Sequence, residues 1–346
     1  MTHRYIVESL DVSVKSKGAC ERGGTAVRIL QNTQSRPVGG VSFGLGGRIL
    51  VAGGSGGYDT WDLTTSSHTF NLSHEVNYLY GCVCDPLGRW VHVSDYRGGF
   101  RLLPLDEHEI PPPPGSQHER HVISFALTAD GGRLVMSRGG AGFNRVECWE
   151  VRPTGLFAAM WSILDGEPVA PDEPYLLNQS TWFFNGVAIS HNGERVATAD
   201  TREAGASGIE PLVVLRDGDT GRSVAELGRS LTSFDTRLAF APNGRTLFTW
   251  DNRVLEQWDL VAGRQMGRLT APGRAYVQGL AIHPSGQFLL TVAGNQVRYW
   301  DTANLSPIRA LKWGIGKLHS VAISPDGSLA AAGGDKGQVV VWDVEV

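Results

Sequence analysis

The chain has 346 residues, a formal net charge of -4 at pH 7, 44 glycines and a charged fraction of 19%. This balance provides no basic surface, so we exclude nucleic acid as a main ligand. No apolar run approaches the length of a membrane span, and we expect no membrane partner.

A repeated pattern covers most of the chain. Each copy has a short apolar strand, a glycine-containing turn, a second strand and a third strand that closes near Trp-Asp. The turn glycines are Gly46, Gly88, Gly131, Gly193, Gly244, Gly286 and Gly327. We number the repeats 1 to 7 in the order of these glycines. Their spacings are 42, 43, 62, 51, 42 and 41 residues. The period predicts an all-β, seven-bladed propeller of four-stranded antiparallel blades, as a single domain over residues 1–346.

The N-terminal part of the chain precedes the first repeat. Residues 1–24 are predicted to be an extension, whereas residues 25–31 have the length and apolar pattern of a strand. The seventh repeat ends after its third strand. We therefore expect residues 25–31 to pair beside residues 339–344 and to close the ring of blades.

The first strand of each repeat is predicted to be innermost and the third to end near Trp-Asp. The first strands span residues 40–43, 79–84, 122–127, 186–190, 237–241, 279–283 and 320–324. The third strands end at Trp61-Asp62, Leu103-Pro104, Trp149-Glu150, Leu215-Arg216, Trp258-Asp259, Trp300-Asp301 and Trp342-Asp343. A tryptophan that recurs at one structural position favours packing between blades, so we predict that these five tryptophans are structural.

Together these residues resemble the WD-repeat β-propeller family, from about residue 25 to the C-terminus, as a divergent member of prokaryotic type. Blades of that family often hold a buried His and Asp in one hydrogen-bond network. The His position is matched by His118 and approximately by His74, and the Asp position by Asp95, Asp251 and Asp335. By this spacing only repeat 2 holds both, and we interpret His74 and Asp95 as structural rather than catalytic.

Two insertions lengthen the repeats, near residues 165–184 and 201–211. Both are predicted to be loops that open on the same face of the propeller, which makes that face the best candidate for a binding surface. The alternative is that both are ordinary tolerated insertions. The predicted partner-binding residues are Tyr175, Trp182, Phe183, Phe184, Arg202 and Glu203, because aromatic residues and Arg dominate interface energetics.

Four cysteines and four consecutive prolines have both structural and functional interpretations. Cys20, Cys82, Cys84 and Cys148 are too few for a disulfide scaffold, which favours buried thiols in a reducing cytoplasm. A metal or redox role for Cys82 and Cys84 is the alternative. Residues 111–114 favour an outer strand or loop of repeat 2 over a polyproline ligand.

No motif for catalysis or phosphate binding occurs in the chain. We therefore expect no catalytic residue, no metal and no cofactor. The resemblance implies a non-catalytic, monomeric, cytoplasmic scaffold that binds a protein or peptide partner on its loop face. The alternative is a propeller enzyme, or a protein that binds a small ligand or metal at the mouth of the central channel.

Overall fold

The structure is a computed structural model, and most of its described residues are in β-strands. It describes residues 3–6, 27–54, 56–72, 79–95, 100–105, 121–140, 143–151, 157–164, 167–169, 182–203, 209–227, 236–251, 253–271 and 275–344. The first strands are β1 (His3–Ile6), β2 (Val27–Gln31), β3 (Val38–Gly44), β4 (Ile49–Gly54), β5 (Gly57–Asp62), β6 (Ser67–Leu72), β7 (Leu79–Cys84), β8 (Trp90–Asp95) and β9 (Phe100–Pro104). They are followed by β10 (His121–Leu127), β11 (Arg133–Gly140), β12 (Phe143–Val151), β13 (Phe157–Leu164), β14 (Glu167–Val169), β15 (Trp182–Ile189), β16 (Arg195–Glu203), β17 (Ile209–Asp217), β18 (Ser223–Glu226), β19 (Arg237–Phe240), β20 (Thr246–Trp250), β21 (Val254–Asp259) and β22 (Arg264–Thr270). The last are β23 (Val277–Ile282), β24 (Phe288–Ala293), β25 (Gln296–Asp301), β26 (Pro307–Lys312), β27 (Leu318–Ile323), β28 (Leu329–Gly334) and β29 (Gln338–Asp343).

The helical content of the described ranges is a single 3₁₀ turn, Leu45–Gly47. These ranges contain no helix with the length and apolarity that a membrane crossing requires.

Each repeat forms one antiparallel sheet, and we call the sheet of repeat n sheet n. Six sheets have the four strands of a propeller blade. In five of them these strands follow in sequence order from the repeat's first strand outward, whereas the fourth strand of sheet 7 is the N-terminal β2. Sheets 1 and 3 add a fifth strand, β1 or β14. Sheet 2 has three described strands, β7–β8–β9. The prediction of seven four-stranded blades is therefore wrong for the described residues, where six blades are complete. Residues 106–120, which include the four prolines, lie outside them.

The sheets belong to two compact units. One unit comprises Met1–Tyr96, Arg101–Glu109 and Arg274–Val346, and the other comprises Arg97–Phe100 and Ile110–Gly273. In the first unit apolar side chains pack between sheets 6 and 7, between 7 and 1, and between 1 and 2. In the second unit they pack between sheets 3 and 4 and between 4 and 5. The core thus lies between neighbouring sheets, as blades require; the single-domain organisation stays a prediction.

The five repeated tryptophans lie in this core. Trp61, Trp149, Trp258, Trp300 and Trp342 are between 1% and 8% exposed. This burial agrees with the predicted packing role, which stays a prediction.

The described cysteines are also buried. Cys82, Cys84 and Cys148 are free thiols inside the sheets, and burial raises the pKa values of Cys84 and Cys148 to about 12. A thiol that stays protonated is a poor metal ligand or nucleophile. This agrees with the interpretation of buried thiols, and Cys20 lies outside the described residues.

The turns between first and second strands contact one another along each unit. All seven turn glycines have φ between +63° and +77°. The Nε2 atom of His283, in the turn of sheet 6, lies 3.1 Å from the Gly327 carbonyl in the turn of sheet 7. A Cβ atom built on Gly327 would lie 2.5 Å from that same Nε2. Gly327 therefore supplies both a left-handed turn and room for the neighbouring turn.

Gly327→Ala should destabilise the protein more than Gly244→Ala. Both glycines have positive φ, which costs alanine about 1–2 kcal/mol. A Cβ atom on Gly244 would meet nothing within 4 Å, whereas one on Gly327 would clash with His283, whose ring is buried and stacked on Phe288. Thermal unfolding of the two variants measures the difference, and equal losses would contradict a steric role for the neighbouring turn.

The N-terminal strand β2 pairs with the C-terminal strand β29 within sheet 7. The register runs from Val27 opposite Trp342 to Gln31 opposite Gln338. Leu30 of β2 is buried in the cluster between sheets 7 and 1. The predicted pairing is therefore present, whereas closure of a whole ring by it stays a prediction.

Removal of residues 1–31 should lower the Tm by about 5 °C or more relative to removal of residues 1–26. Both truncations delete β1, but only the longer one removes β2 and leaves the backbone of β29 as an open edge. Thermal unfolding followed by circular dichroism makes the comparison. Equal stability of the two truncated proteins would show that β2 contributes little.

Candidate partner-binding surface

The described residues of the two insertions are in strands rather than loops. Residues 167–169 form β14, and the inner strand β15 begins at Trp182, four residues before the predicted start. Residues 201–203 and 209–211 lengthen β16 and β17 to nine residues each. The expectation of two loops is therefore wrong for these residues. Aromatic and β-branched residues favour extended backbone, which explains why Trp182, Phe183 and Phe184 continue a strand.

We call residues 182–184, 201–203 and 209–211 the strand extension. The register aligns it in rows across β15, β16 and β17: Trp182–Arg202–Glu210, Phe183–Thr201–Pro211 and Phe184–Asp200–Leu212. Glu203 lies opposite Ile209. Five of the six predicted partner-binding residues are thus on adjacent backbone positions, and Tyr175 lies outside the described residues.

One side of the strand extension is an edge in the described part of the chain. The outer strand β18 pairs with β17 only at Val214, Leu215 and Arg216. Pro211 stands beyond that pairing, where a strand needs no donor on its outer side. Residues 209–211 therefore extend past the strand that covers the rest of β17.

Arg216 occupies the position that tryptophan holds in other sheets. It lies opposite Val196, as Trp258 lies opposite Leu247 and Trp300 opposite Leu289. The Gly218 amide bonds to Glu194 in sheet 4 as the Leu260 amide bonds to Arg245 in sheet 5. The third strand of repeat 4 thus closes at Arg216-Asp217, and the prediction of Leu215-Arg216 is wrong by one residue.

The Arg216 side chain makes the bond to threonine that tryptophan makes in sheets 5 and 6, and it also bonds to Asp200. Its Nε donates to Thr198 Oγ1 at 3.1 Å, as Trp258 Nε1 donates to Thr249 Oγ1 at 3.1 Å. Its Nη2 also donates to Asp200 Oδ2 at 2.9 Å. The Arg216 and Asp200 side chains are 1% and 0% exposed. A buried ion pair therefore stands directly below the strand extension.

Burial governs the protonation of Asp200. Desolvation raises the pKa of its carboxyl group to about 6, against the opposing effect of Arg216. Oδ1 of Asp200 is buried and has no hydrogen-bond partner among the described residues. The Asp62 carboxylate is the contrasting case, because hydrogen bonds from Arg48 and from the Thr64 and Thr65 turn lower its pKa.

The pH dependence of stability should have opposite signs for these two carboxylates. A raised folded-state pKa makes Asp200 favour folding increasingly as the pH falls from about 6 towards 4, whereas Asp62 contributes above pH 4 and its contribution is lost in acid. The free-energy difference between wild type and Asp200→Asn should therefore rise between pH 7 and pH 4, by on the order of 1–3 kcal/mol. The difference between wild type and Asp62→Asn should fall below pH 4. Urea denaturation at several pH values tests both, and slopes of the same sign would contradict the assignment.

The expected His–Asp network of repeat 2 cannot be located, but two other His–Asp pairs are present. His74 lies outside the described residues, and Asp95 ends β8. In sheet 1 the Nε2 atom of buried His68 lies 2.7 Å from Asp59 Oδ1, and the His68 ring stacks on Trp61. In sheet 7 His319 contacts the predicted Asp335.

The spacing rule therefore failed to find either pair. His319 lies 8 residues before Gly327, whereas the rule requires about 13. His68 is in a fourth strand, where the rule does not search. Both pairs join neighbouring segments of one sheet, which agrees with a structural role.

The comparisons with known proteins identify the repeats. Residues 263–301 and 307–343 match the family model of WD40, the WD domain or G-beta repeat. Each match begins near a fourth strand, β22 or β26, and ends at the Trp-Asp of the next sheet. These two segments are therefore WD repeats, and they lie in a chain whose described sheets include six with the four strands of a propeller blade. No curated protein matches it.

The family gives a general expectation for function. WD40 propellers are generally scaffolds for protein interactions and are typically not enzymes. Among the side chains that the structure describes, no group of three or more His, Cys, Asp and Glu residues could hold a metal ion.

Proposed function

We propose that this protein is a non-catalytic scaffold that binds a protein or peptide partner through the strand extension of sheet 4. The observation that carries the proposal is the register of β15, β16 and β17. It places Trp182, Phe183 and Phe184 of β15 beside Arg202 and Glu203 of β16, at and beyond the row that holds the buried residues Asp200 and Leu212. Aromatic residues and Arg are the usual anchors of protein interfaces.

The family supports the same conclusion, since WD40 propellers generally bind proteins. We further propose a monomeric, cytoplasmic protein. Its single domain would extend over residues 1–346, with the pairing of β2 and β29 closing the array of blades. The paired strands β2 and β29 support that closure, because they join the two terminal parts of the chain in one sheet.

Trp182→Ala combined with Phe183→Ala should weaken partner binding by on the order of 2 kcal/mol or more and leave the Tm almost unchanged. The partner is first identified by crosslinking and mass spectrometry with wild type, and its affinity is then measured by calorimetry. Met266→Ala is the matched control, because Met266 is a large apolar side chain, 51% exposed, on β22 of another sheet.

The opposite result would place these rings in the core. Two buried aromatic side chains would cost on the order of 3 kcal/mol or more of stability when removed. A large fall in Tm with unchanged affinity, or equal loss of affinity in the Met266→Ala control, would contradict the proposed surface.

A further inference from the structure

At one buried position, sheet 4 holds a different residue type from sheets 5 and 6. The side chain at this position bonds to Asp200, next to the strand extension. In sheets 5 and 6 a tryptophan of the third strand donates a hydrogen bond to a threonine of the second strand. The threonine lies two residues beyond the residue opposite the tryptophan. The two pairs are Trp258 with Thr249 and Trp300 with Thr291. Sheet 4 keeps the threonine, Thr198, but replaces the tryptophan by Arg216. The Arg216 guanidinium also donates to Asp200, which lies two residues beyond Thr198 on β16.

Stability alone gives no reason for this replacement. A buried ion pair loses the hydration of both charges, and apolar residues of similar volume are often as stable in its place. Asp200 is a costly partner, since its Oδ1 has no hydrogen bond from the described residues. The tryptophans of the other sheets demonstrate that an aromatic ring fills this position.

The ion pair supplies a directional link that a ring cannot. Asp200 lies opposite Phe184 of the strand extension and directly before Thr201, where the extension begins on β16. The Arg216 side chain links Asp200 to β17 from a backbone position four residues along β17 from Leu212. Leu212 lies beyond the described pairing of β17 on its outer side, which ends with the bond from the Leu227 amide to the Val213 carbonyl.

We infer that Arg216 and Asp200 are positioning residues that hold the strand extension in register and present it for partner binding. The part of this inference that concerns partner binding rests on the proposed function. The other part concerns the protein alone: the ion pair limits local opening of residues 201–203 and 209–211. Local opening is measured by amide hydrogen exchange without any partner.

The test converts sheet 4 to the arrangement of sheet 6. The double variant Arg216→Trp with Asp200→Ala reproduces Trp300, Thr291 and Ala293, which occupy the corresponding positions there. We expect its Tm to stay within about 3 °C of wild type. Exchange at residues 201–203 and at the amides of 209–210 should rise about tenfold or more, while exchange in β19–β22 stays unchanged. Thr249→Val, which removes the bond to Trp258 in sheet 5, is the control and should leave exchange in the strand extension unchanged.

Two results would overturn the inference. One is unchanged exchange in the strand extension of the double variant. The other is a rise of equal size throughout sheets 3, 4 and 5, which a merely structural pair would produce. If the double variant does not fold, the same exchange measurement on Asp200→Asn tests the inference, because this substitution keeps the shape of the side chain and weakens the ion pair. A rise confined to the strand extension supports the inference, and no rise overturns it. Since these measurements need no partner, their failure is distinct from failure of the Trp182 and Phe183 binding test.

Discussion

The fold depends on apolar packing between neighbouring sheets. A single four-stranded sheet has two faces and cannot bury both by itself, so each sheet gains its core only from the next one. The described clusters follow this rule, because each joins two adjacent sheets, as Leu50 and Val339 join sheets 1 and 7. Every sheet must pack against its neighbours in the same way, and the sequence therefore repeats the same residue types at the same spacing.

The turns complement this packing with a steric constraint. In sheets 6 and 7 the buried ring of His283 fits against Gly327, and in sheets 1 and 2 Leu45 fits against Gly88. A side chain on either glycine would push the neighbouring turn away. The left-handed glycine thus fixes how closely adjacent sheets approach as well as how each hairpin reverses.

Local repetition explains how much of this structure could be predicted from sequence. The strands, the turn glycines and the buried tryptophans recur with one period, so each copy supports the others. The prediction failed where the period is broken. Lengthening of β16 and β17 concealed the register of repeat 4 and made Leu215 look equivalent to tryptophan.

A local cue for the correct register does exist. Asp217 precedes the left-handed Gly221 by four residues, and Asp259 precedes the left-handed Gly263 by the same interval. That interval assigns Arg216 to the tryptophan position. The pairing of Arg216 with Asp200 needed the structure, because it depends on which residues of two long strands face each other.

A binding surface made of strands differs physically from one made of loops. A loop that becomes ordered on binding loses conformational freedom, which subtracts from the affinity its contacts provide. Strands already paired in a sheet have lost that freedom on folding. The advantage holds only while the pairing is maintained, and pairing is weakest where a strand is paired on one side only, as β17 is among the described residues beyond β18. A side-chain link from β17 to the start of this one-sided region adds rigidity where pairing is weakest, and Arg216, at the position of a tryptophan in other sheets, makes that link to Asp200.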